Sequence, residues 1–339
     1  MWATLAIGSL ARAGETELRI VVVTPAFNAA PFIGDAIRSV LAQTHRDLRL
    51  IIVDDGSTDG TAAVVKSFND PRLTVIRQPG AGVSAARNRG IAAADGDAAL
   101  FLDADDWLSP DALARLSGAL VQAPRAVAAF GPYISTSDRQ CGRERPALST
   151  RGGLVDPLPD LLVRNWFANG GHLLIRHSAV KAAGLFRPEL RYGEDWDYWI
   201  RIALQGPFVV ERDRHPLLFV RSREGGAYRR HAADPNALLP CLDAIFGNPA
   251  LAAYFGPARR ATFRARAEAE NHWVVGRELI RQGLLRDGQR WLWRSVHAAP
   301  SLRRSVLLMA AQTLPLLPAR WRGPFKRYGE PSDSLTVPV

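Results

Sequence analysis

The 339-residue chain contains few sulfur-bearing residues, with two cysteines and two methionines. Two cysteines, Cys141 and Cys241, cannot build the disulfide framework of a small secreted protein, and their spacing is not that of a metal-binding pair. Cysteines of this kind usually fill buried, apolar positions. Their scarcity is compatible with a reducing cytoplasm.

Long apolar runs are also missing. The sequence has no stretch of 18 or more consecutive apolar residues, so no membrane-spanning helix is expected. The apolar start, residues 1–10, lacks a basic segment before it and a convincing cleavage site, so we do not expect a signal peptide. These absences predict a cytoplasmic protein.

Two common nucleotide-binding motifs are absent as well. The first predicted strand leads into TPAFNAAPF (24–32), which lacks the glycines of G-x-G-x-x-G. No glycine-rich loop ending in Lys-Ser or Lys-Thr is present either. The sequence therefore disfavours a dinucleotide-dependent dehydrogenase and a P-loop nucleotidase.

The positive charge is concentrated near the C-terminal end. The formal net charge is +10, but residues 258–327 contain fifteen Lys and Arg and four Asp and Glu, so the remainder is close to neutral at −1. Such a segment can meet an anionic membrane, a nucleic acid or an anionic substrate. We find no nucleic-acid-binding motif in it, so no nucleic-acid partner is expected.

Apolar runs alternate with helical patterns through the first third of the chain. Strands are predicted at 18–27, 48–53, 73–78 and 98–102, and helices at 31–44, 82–94 and 109–120. This alternation predicts an α/β fold with a mostly parallel sheet and helices on both faces. Ser57 or Thr58 is expected to cap the helix after the second strand, and Ser109 the helix at 109–120.

The rest of the chain changes character. A helix is predicted at 192–206, strands at 207–211 and 216–222, and only helices from about 236 onwards. We expect three regions: an N-terminal extension (1–17), an α/β domain (18–225) and a basic helical C-terminal region (226–339). Within the last, residues 265–301 resemble a helical hairpin with its turn near Gly288.

Three polar clusters follow predicted strand ends: Pro25–Asn28, Asp54–Ser57 and Asp103–Asp106. In sheets of this kind, ligands lie beyond the carboxyl ends of the strands, so the clusters predict one site. The DADD cluster (103–106) supplies the carboxylate oxygens that Mg²⁺ or Mn²⁺ prefers. The alternative, an acidic helix cap, is weaker because Ser109 is closer to the next helix.

Two other acidic pairs are ambiguous on their own. Asp54 and Asp55 could accept hydrogen bonds from a base or ribose, or could serve a turn. In GEDWDYWIR (193–201), Asp197 and Arg201 are spaced for a structural ion pair on a helix. Glu194 and Asp195 stand at the start of that helix and could present a general base.

Four stretches, taken together and in order, resemble the family 2 glycosyltransferases. They are VVVTPAFNAAPFIGDAIRSVLAQT, LIIVDDGSTDGT, GAGVSAARNRGIAAADGDAALFLDADD and GLFRPELRYGEDWDYWIR, within residues 18–222. The resemblance implies the GT-A (nucleotide-diphospho-sugar transferase) fold, a Rossmann-like, mostly parallel sheet. It makes residues 18–225 the catalytic domain, and it implies inverting transfer with a divalent metal, Mn²⁺ or Mg²⁺.

The resemblance also implies roles at matching positions. The metal would be bound by Asp103 and Asp105, with Asp105 the more direct ligand, and Asp195 would be the catalytic base. Nucleotide-sugar contacts would come from Pro25, Phe27, Asn28, Asp54, Asp55, Arg87, Asn88 and Asp103. The acceptor or diphosphate side would include Asn169, Gly170, Glu194, Trp196, Arg221 and Arg223. The last two arginines stand where family members often carry a histidine, which leaves a third metal ligand unassigned.

The leading hypothesis is a metal-dependent inverting glycosyltransferase that uses a nucleotide-sugar donor. A glycan or lipid-linked sugar would be the acceptor, in bacterial surface polysaccharide or glycolipid synthesis. The alternatives are a sugar-phosphate nucleotidyltransferase and a non-enzymatic, basic nucleic-acid-binding protein. An apolar stripe (Trp291, Leu292, Val296, Leu302, Val306, Leu307) among basic residues could bind an anionic membrane at the inner face of the cell membrane. It could equally be a helical cap packed on the catalytic domain.

Overall fold

The computed structural model describes residues 17–136, 144–145, 153–213, 215–222 and 231–313. Twelve strands lie in these residues: β1 (Ile20–Ala26), β2 (Leu48–Asp54), β3 (Leu73–Arg77), β4 (Ala98–Phe101), β5 (Trp107–Leu108), β6 (Ala128–Phe130), β7 (Tyr133–Thr136), β8 (Glu144–Arg145), β9 (Gly153–Val155), β10 (Leu173–Arg176), β11 (Phe208–Val210) and β12 (Leu218–Arg221). The helices are α1 (Ile33–Leu41), α2 (Thr61–Lys66), α3 (Val83–Ala92), α4 (Ala112–Gln122), α5 (Leu158–Leu161), α6 (His177–Ala183), α7 (Glu194–Ala203), α8 (Leu239–Phe246), α9 (Pro249–Tyr254), α10 (Pro257–Arg281), α11 (Leu285–Ala298) and α12 (Leu302–Thr313).

The main sheet has eight strands in the order β3-β2-β1-β4-β10-β6-β11-β9. The first four strands in this order run parallel, and β1 lies between β2 and β4. Strands β1 and β4 are buried along their whole length, as expected of central strands covered on both faces. The parallel α/β core predicted from the apolar runs is confirmed.

Antiparallel pairs complete both sheets. Strand β10 runs antiparallel to β4 and β6, and β9 closes the far edge against β11. A second sheet has the order β5-β12-β7-β8. Strand β5 begins directly after the DADD cluster and pairs with β12, so the smaller sheet holds the cluster from one side.

The predicted helix caps are wrong at two places. Helix α2 begins after Gly60, and Ser57 instead accepts a hydrogen bond from the backbone of Asn28. Helix α4 begins after Asp111, because strand β5 extends to Leu108 and the backbone N–H of Ser109 donates to Leu217. In both cases the serine that the local pattern assigned to a helix cap forms a hydrogen bond with a residue distant in the sequence.

The hairpin near the C-terminal end is confirmed, but its turn is not near Gly288. The turn lies at Gly283, which has a φ of 85°. Gly288 lies inside α11, where a Cβ would come within 2.7 Å of the carbonyl oxygen of Gly276 on α10. Gly276 and Gly288 therefore permit close packing of α10 on α11.

The main hydrophobic core continues into the C-terminal helices. Cys241 and Leu242 of α8 belong to the same buried cluster as Trp196 and Phe101, whereas Trp273, Ile280 and Leu292 form a separate cluster between α10 and α11. The predicted boundary at 225/226 lies within residues 223–230, outside the described part, so the division stays a prediction. None of the described helices is both long and apolar enough to cross a membrane.

Candidate functional site

The carboxyl ends of β1, β2 and β4 meet at one edge of the main sheet. Ala26 is paired with Asp54, and Val23 with Phe101. The polar clusters that follow these strands are therefore neighbours, as the sequence predicted. This edge is where parallel α/β sheets bind their ligands.

Asn28 joins the first two of these clusters. Its backbone N–H donates to Ser57 Oγ at 3.0 Å, and its Oδ1 accepts from the backbone N–H of Thr58 at 2.9 Å. The φ of Asn28 is 48°, a left-handed conformation that asparagine tolerates better than most residues. Phe27, beside it, leaves 61% of its surface exposed at the cavity described below.

The two aspartates after β2 have different surroundings. Both oxygens of Asp55 are used by the following loop, because they accept from Gln78 Nε2 and from the backbone N–H groups of Ala81 and Gly82 at 2.7–2.9 Å. Asp54 Oδ1 accepts from the backbone of Ser57. Asp54 Oδ2 is buried with no hydrogen-bond partner among the described residues, and Arg77 Nε lies 3.7 Å away.

The DADD cluster forms a turn between β4 and β5. Ligand-type oxygens of Asp103, Asp105 and Asp106 all lie within 4.8 Å of one another. Asp103 and Asp105 are half-buried and line the cavity, whereas Asp106 is only 2% exposed. The three acids thus separate into two that face the cavity and one that faces the protein.

Asp106 is the residue that fixes the turn. Its Oδ1 accepts from the backbone N–H of Arg221 at 2.8 Å, and its Oδ2 accepts from the side-chain amide of Asn169. Burial, followed by the charges of Asp105 and Asp103, raises the pKa of Asp106 well above its usual range. The predicted acceptor-side residue Asn169 therefore supports the turn.

Arg221 holds the same turn from strand β12. Its Nε donates to the carbonyl oxygen of Asp105 at 3.1 Å, and its NH2 bonds Asp35 on α1 at 2.8 Å. The guanidinium also lies over the rings of Trp107 and Phe32. These contacts anchor the DADD turn to both α1 and the smaller sheet.

Arg87, on α3, links two acidic groups across the site. It is 4% exposed, and its NH2 and NH1 lie 3.0 Å from Asp103 and Glu194, respectively. Burial favours the neutral form of a guanidinium, but the charges of Asp103, Glu194 and Asp195 outweigh it and raise the pKa of Arg87. Its Nε is buried with no hydrogen-bond partner among the described residues.

Asp195 lies in the first turn of α7, directly after Glu194. Its Oδ2 accepts from Asn165 Nδ2 at 3.1 Å. Burial raises the pKa of Asp195 to about 7, and the charge of Glu194 adds to the increase, while Arg87 opposes it. A carboxyl group that titrates near neutral pH is suited to proton transfer.

A special backbone position starts the same helix. Gly193 has a φ of 79°, and a Cβ there would lie 2.8 Å from Cys241 Sγ. The buried thiol of Cys241 donates to the carbonyl oxygen of Gly193 at 3.1 Å. Helix α8 therefore positions the start of α7, a role that sequence reasoning did not assign to Cys241.

A cavity of about 300 Å³ lies between these elements. The predicted residues that line it are Pro25, Phe27, Asn28, Arg87, Asp103, Asp105 and Glu194. Ala29, Val83 and Ala104 also line it and were missed, because small apolar residues carry no chemical signal in a sequence. Asn165, which bonds Asp195, was missed because its partner is 30 positions away.

Several predicted residues have structural contacts in place of cavity contacts. The amide of Asn88 donates to the carbonyl oxygen of Phe186 and accepts from its N–H, both at 2.8 Å. Trp196 is 4% exposed and donates through Nε1 to the carbonyl oxygen of Leu161. Gly170 packs so closely on Phe101 that a Cβ would lie 2.8 Å from its Cβ. Arg223 lies outside the described residues.

A comparison with protein-family models finds a match in the first part of the chain. Residues 21–181 match the family model described as Glycosyl transferase family 2. An uncharacterized glycosyltransferase, EpsJ, from Bacillus subtilis is 36% identical over 185 residues, which cover 52% of this chain and 53% of EpsJ. The chain thus spans about half the length of this curated relative.

Two solved structures have the same architecture. One is Staphylococcus aureus TarS 1-349 in complex with UDP, with a TM-score of 0.61 and 18% identity over 87% of each chain. The other is the mannosyltransferase PcManGT from Pyrobaculum calidifontis in complex with GDP-Man and Mn²⁺, with a TM-score of 0.56 and 19% identity over 91% of this chain and 83% of that one. These likenesses support the GT-A fold. The ordered motifs, the family match over residues 21–181 and the shared fold agree, and this part of the chain is similar to glycosyltransferase family 2.

Proposed function

We propose that this protein is a metal-dependent, inverting glycosyltransferase that moves a sugar from a nucleotide-diphosphate sugar to an acceptor hydroxyl. The observation that carries the proposal is the arrangement around Arg87, which joins Asp103 of the DADD turn to Glu194 beside Asp195. A cavity that has a carboxylate pair for a cation on one side and a titratable carboxyl group near the other suits this reaction.

The donor set suits Mn²⁺ or Mg²⁺. Asp103 and Asp105 offer carboxylate oxygens toward the cavity, and hard divalent cations prefer such ligands. Asp106 is committed to Arg221 and Asn169, so we assign it to holding the turn and not to the metal. When bound, the cation would stabilise the negative charge that develops on the departing diphosphate.

The nucleotide would lie over the ends of β1 and β2. The exposed ring of Phe27 provides a flat apolar surface, and Oδ2 of Asp54, which has no hydrogen-bond partner among the described residues, retains the capacity to accept a hydrogen bond from a base. Asp55 would act indirectly, by holding the loop 78–82. The buried Nε of Arg87 has a remaining donor that could serve a diphosphate oxygen.

Asp195 is our proposed base. Its ionised form would accept the proton of the attacking hydroxyl, with Asn165 holding the carboxyl group in position. Direct attack by that hydroxyl gives inversion and needs no covalent glycosyl-enzyme. The similarity to family 2 supports this stereochemistry, and it also supports a glycan or lipid-linked sugar acceptor in bacterial surface polysaccharide or glycolipid synthesis.

The test is a panel of UDP- and GDP-sugars, incubated with the purified protein and MnCl₂. We expect one donor to raise the melting temperature in the presence of Mn²⁺ and to release nucleoside diphosphate when acceptor glycans are added. The anomeric configuration of the product, read by NMR, should be opposite to that of the donor. Undiminished turnover by Asp105→Ala in excess EDTA, or a product with retained configuration, would contradict the proposal.

A further inference from the structure

Helix α11 uses its apolar face inside the protein. Leu292 is fully buried, and Ser295 Oγ donates to the carbonyl oxygen of Ala269 on α10 at 2.7 Å. Gly288 lies against Gly276 in the same contact. Of the apolar stripe noted in the sequence, Leu292 therefore packs against α10, Trp291 contacts His272 on α10, and Val296 is partly buried.

The outward face of α11 is basic. Arg286, Arg290 and Arg294 are exposed and recur every four residues, so they form a row about 12 Å long at 1.5 Å per residue. With Gln289 and Trp293 they line an open groove of about 490 Å³. This groove is separate from the candidate active site, because none of its lining residues is shared with the first cavity.

The positive charge of this face is largely uncompensated within the helix. Asp287 is the one acidic residue among the 14 of α11, and its Oδ1 lies 3.6 Å from Arg290 NH1. Arg294 lies over the ring of Trp291, with its Cζ 4.4 Å from the centroid, which leaves its charge intact. Three guanidinium groups against one carboxylate give the face a net charge of +2.

Apolar side chains are exposed beside these charges. Trp293 is 53% exposed on the groove itself. Helix α12 is tied to α11 by the bond from Gln289 Nε2 to the carbonyl oxygen of Ala311, at 2.8 Å. Along α12, Leu302, Val306 and Met309 recur at helical spacing and are 50–82% exposed.

We propose that the outward face of α11 is a docking surface for an anionic phospholipid bilayer. Charge complementarity favours phosphate headgroups, and a 12 Å row of separate guanidinium groups suits an array of phosphates better than one small anion. An exposed indole next to basic residues is a side-chain combination that favours the membrane interface. The proposal does not depend on the transfer reaction.

The experiment measures vesicle binding by flotation at about 0.1 M salt. Wild-type protein is compared on vesicles of phosphatidylcholine alone and on vesicles with 30% phosphatidylglycerol. The triple variant R286Q/R290Q/R294Q tests the face. The variant R46Q/R49Q/R125Q removes the same charge from exposed positions on the α/β domain and serves as the matched control.

We expect binding to phosphatidylglycerol vesicles and not to phosphatidylcholine alone. Each basic residue near an anionic surface contributes about fivefold to partitioning, so the triple variant should lose roughly 100-fold and the control little. Trp293→Gln should weaken binding while leaving its salt dependence unchanged.

Three results would overturn the proposal. The first is unchanged vesicle binding by the triple variant with a wild-type melting curve. The second is complete displacement from vesicles by millimolar inorganic phosphate, which would indicate a small-anion site. The third is a wild-type protein that does not bind vesicles but forms a dimer in sedimentation velocity, which the triple variant converts to monomer. This result would indicate an interface between copies.

Discussion

Replacing Arg87 with methionine tests whether one buried cation holds the two sides of the site together. Methionine keeps an unbranched apolar stem but removes the guanidinium that lies 3.0 Å from both Asp103 and Glu194. Glu194 has 14% of its side chain exposed and would be left without this partner. Asp103 is a third exposed, so water would compensate much of its loss.

Removing one partner of a buried ion pair costs about 3–5 kcal/mol, and the exposure of Asp103 argues for the lower end. A loss of about 3 kcal/mol corresponds to a decrease of roughly 6–12 °C in melting temperature for a domain of this size. Thermal denaturation in EDTA measures it without contribution from bound metal. Arg89→Met, at an exposed position of the same helix, should change stability by less than about 0.5 kcal/mol.

The double variant R87M/E194Q sharpens the test. Because Glu194→Gln removes the stranded charge, the double variant should be less destabilised than the sum of the two single variants. A melting temperature for Arg87→Met equal to that of Arg89→Met would refute the reasoning, as would strict additivity in the double variant. Either result would mean that the carboxylates do not rely on Arg87.

Three further changes test other parts of the site. For the base, kcat/KM should fall about tenfold per pH unit below pH 7 and level off above it, because Asp195 has a pKa of about 7 and must be ionised to accept a proton. Asp195→Asn should lower kcat/KM by about 10²–10⁴-fold, and Glu194→Gln should move the acidic limb of the profile to lower pH. An acidic limb centred near pH 4 in the wild type would contradict the assignment. For the metal, Mn²⁺ should raise the melting temperature of the wild type and of Asp47→Asn, whose exposed carboxylate lies outside the cluster, but not of Asp105→Asn; an equal shift in all three would exclude Asp105 as a ligand. For the helix start, Gly193→Ala should be destabilised by about 1–3 kcal/mol in urea denaturation, because its Cβ would meet Cys241 and its φ is positive; wild-type stability would show that the contact can relax.

The sequence predicted most of what is local in this fold. Buried strands such as β1 and β4 could be recognised in the sequence as apolar runs. Because these strands run parallel, the acidic clusters that follow them were expected at one edge of the sheet. Helix starts were less predictable, since Ser57 and Ser109 are drawn into contacts with Asn28 and Leu217. Local pattern cannot anticipate a partner contributed by a distant segment.

The same limit applies to the arginines of the site. Arg87 bonds Glu194 across 107 positions, and Arg221 bonds Asp35 across 186. The resemblance assigned both arginines to ligands, and nothing in their neighbourhoods points to these carboxylates. Their positions depend on the pairing of β12 with β5 and on the packing of α3, which are set only by the complete fold.

The charge balance of the site gives a physical reason for a divalent cation. Arg87 bonds Asp103 and Glu194 and interacts with the charge of Asp195, while Asp105 and Asp106 lie beside Asp103 in the DADD turn. The guanidinium of Arg221 is paired with Asp35, outside this group. With its five carboxyl groups ionised, the group formed by Arg87 and these acids carries a formal charge of −4. Burial raises the pKa of Asp106 and the pKa of Asp195, so protonation of these two carboxyl groups relieves part of this charge. The positive C-terminal helix face cannot offset this charge, because its arginines line a different surface. One divalent cation between Asp103 and Asp105 would offset two of these negative charges and would leave Asp195 easier to ionise, since added positive charge favours a carboxylate. The acidic DADD turn and the titratable base are therefore coupled parts of one electrostatic arrangement.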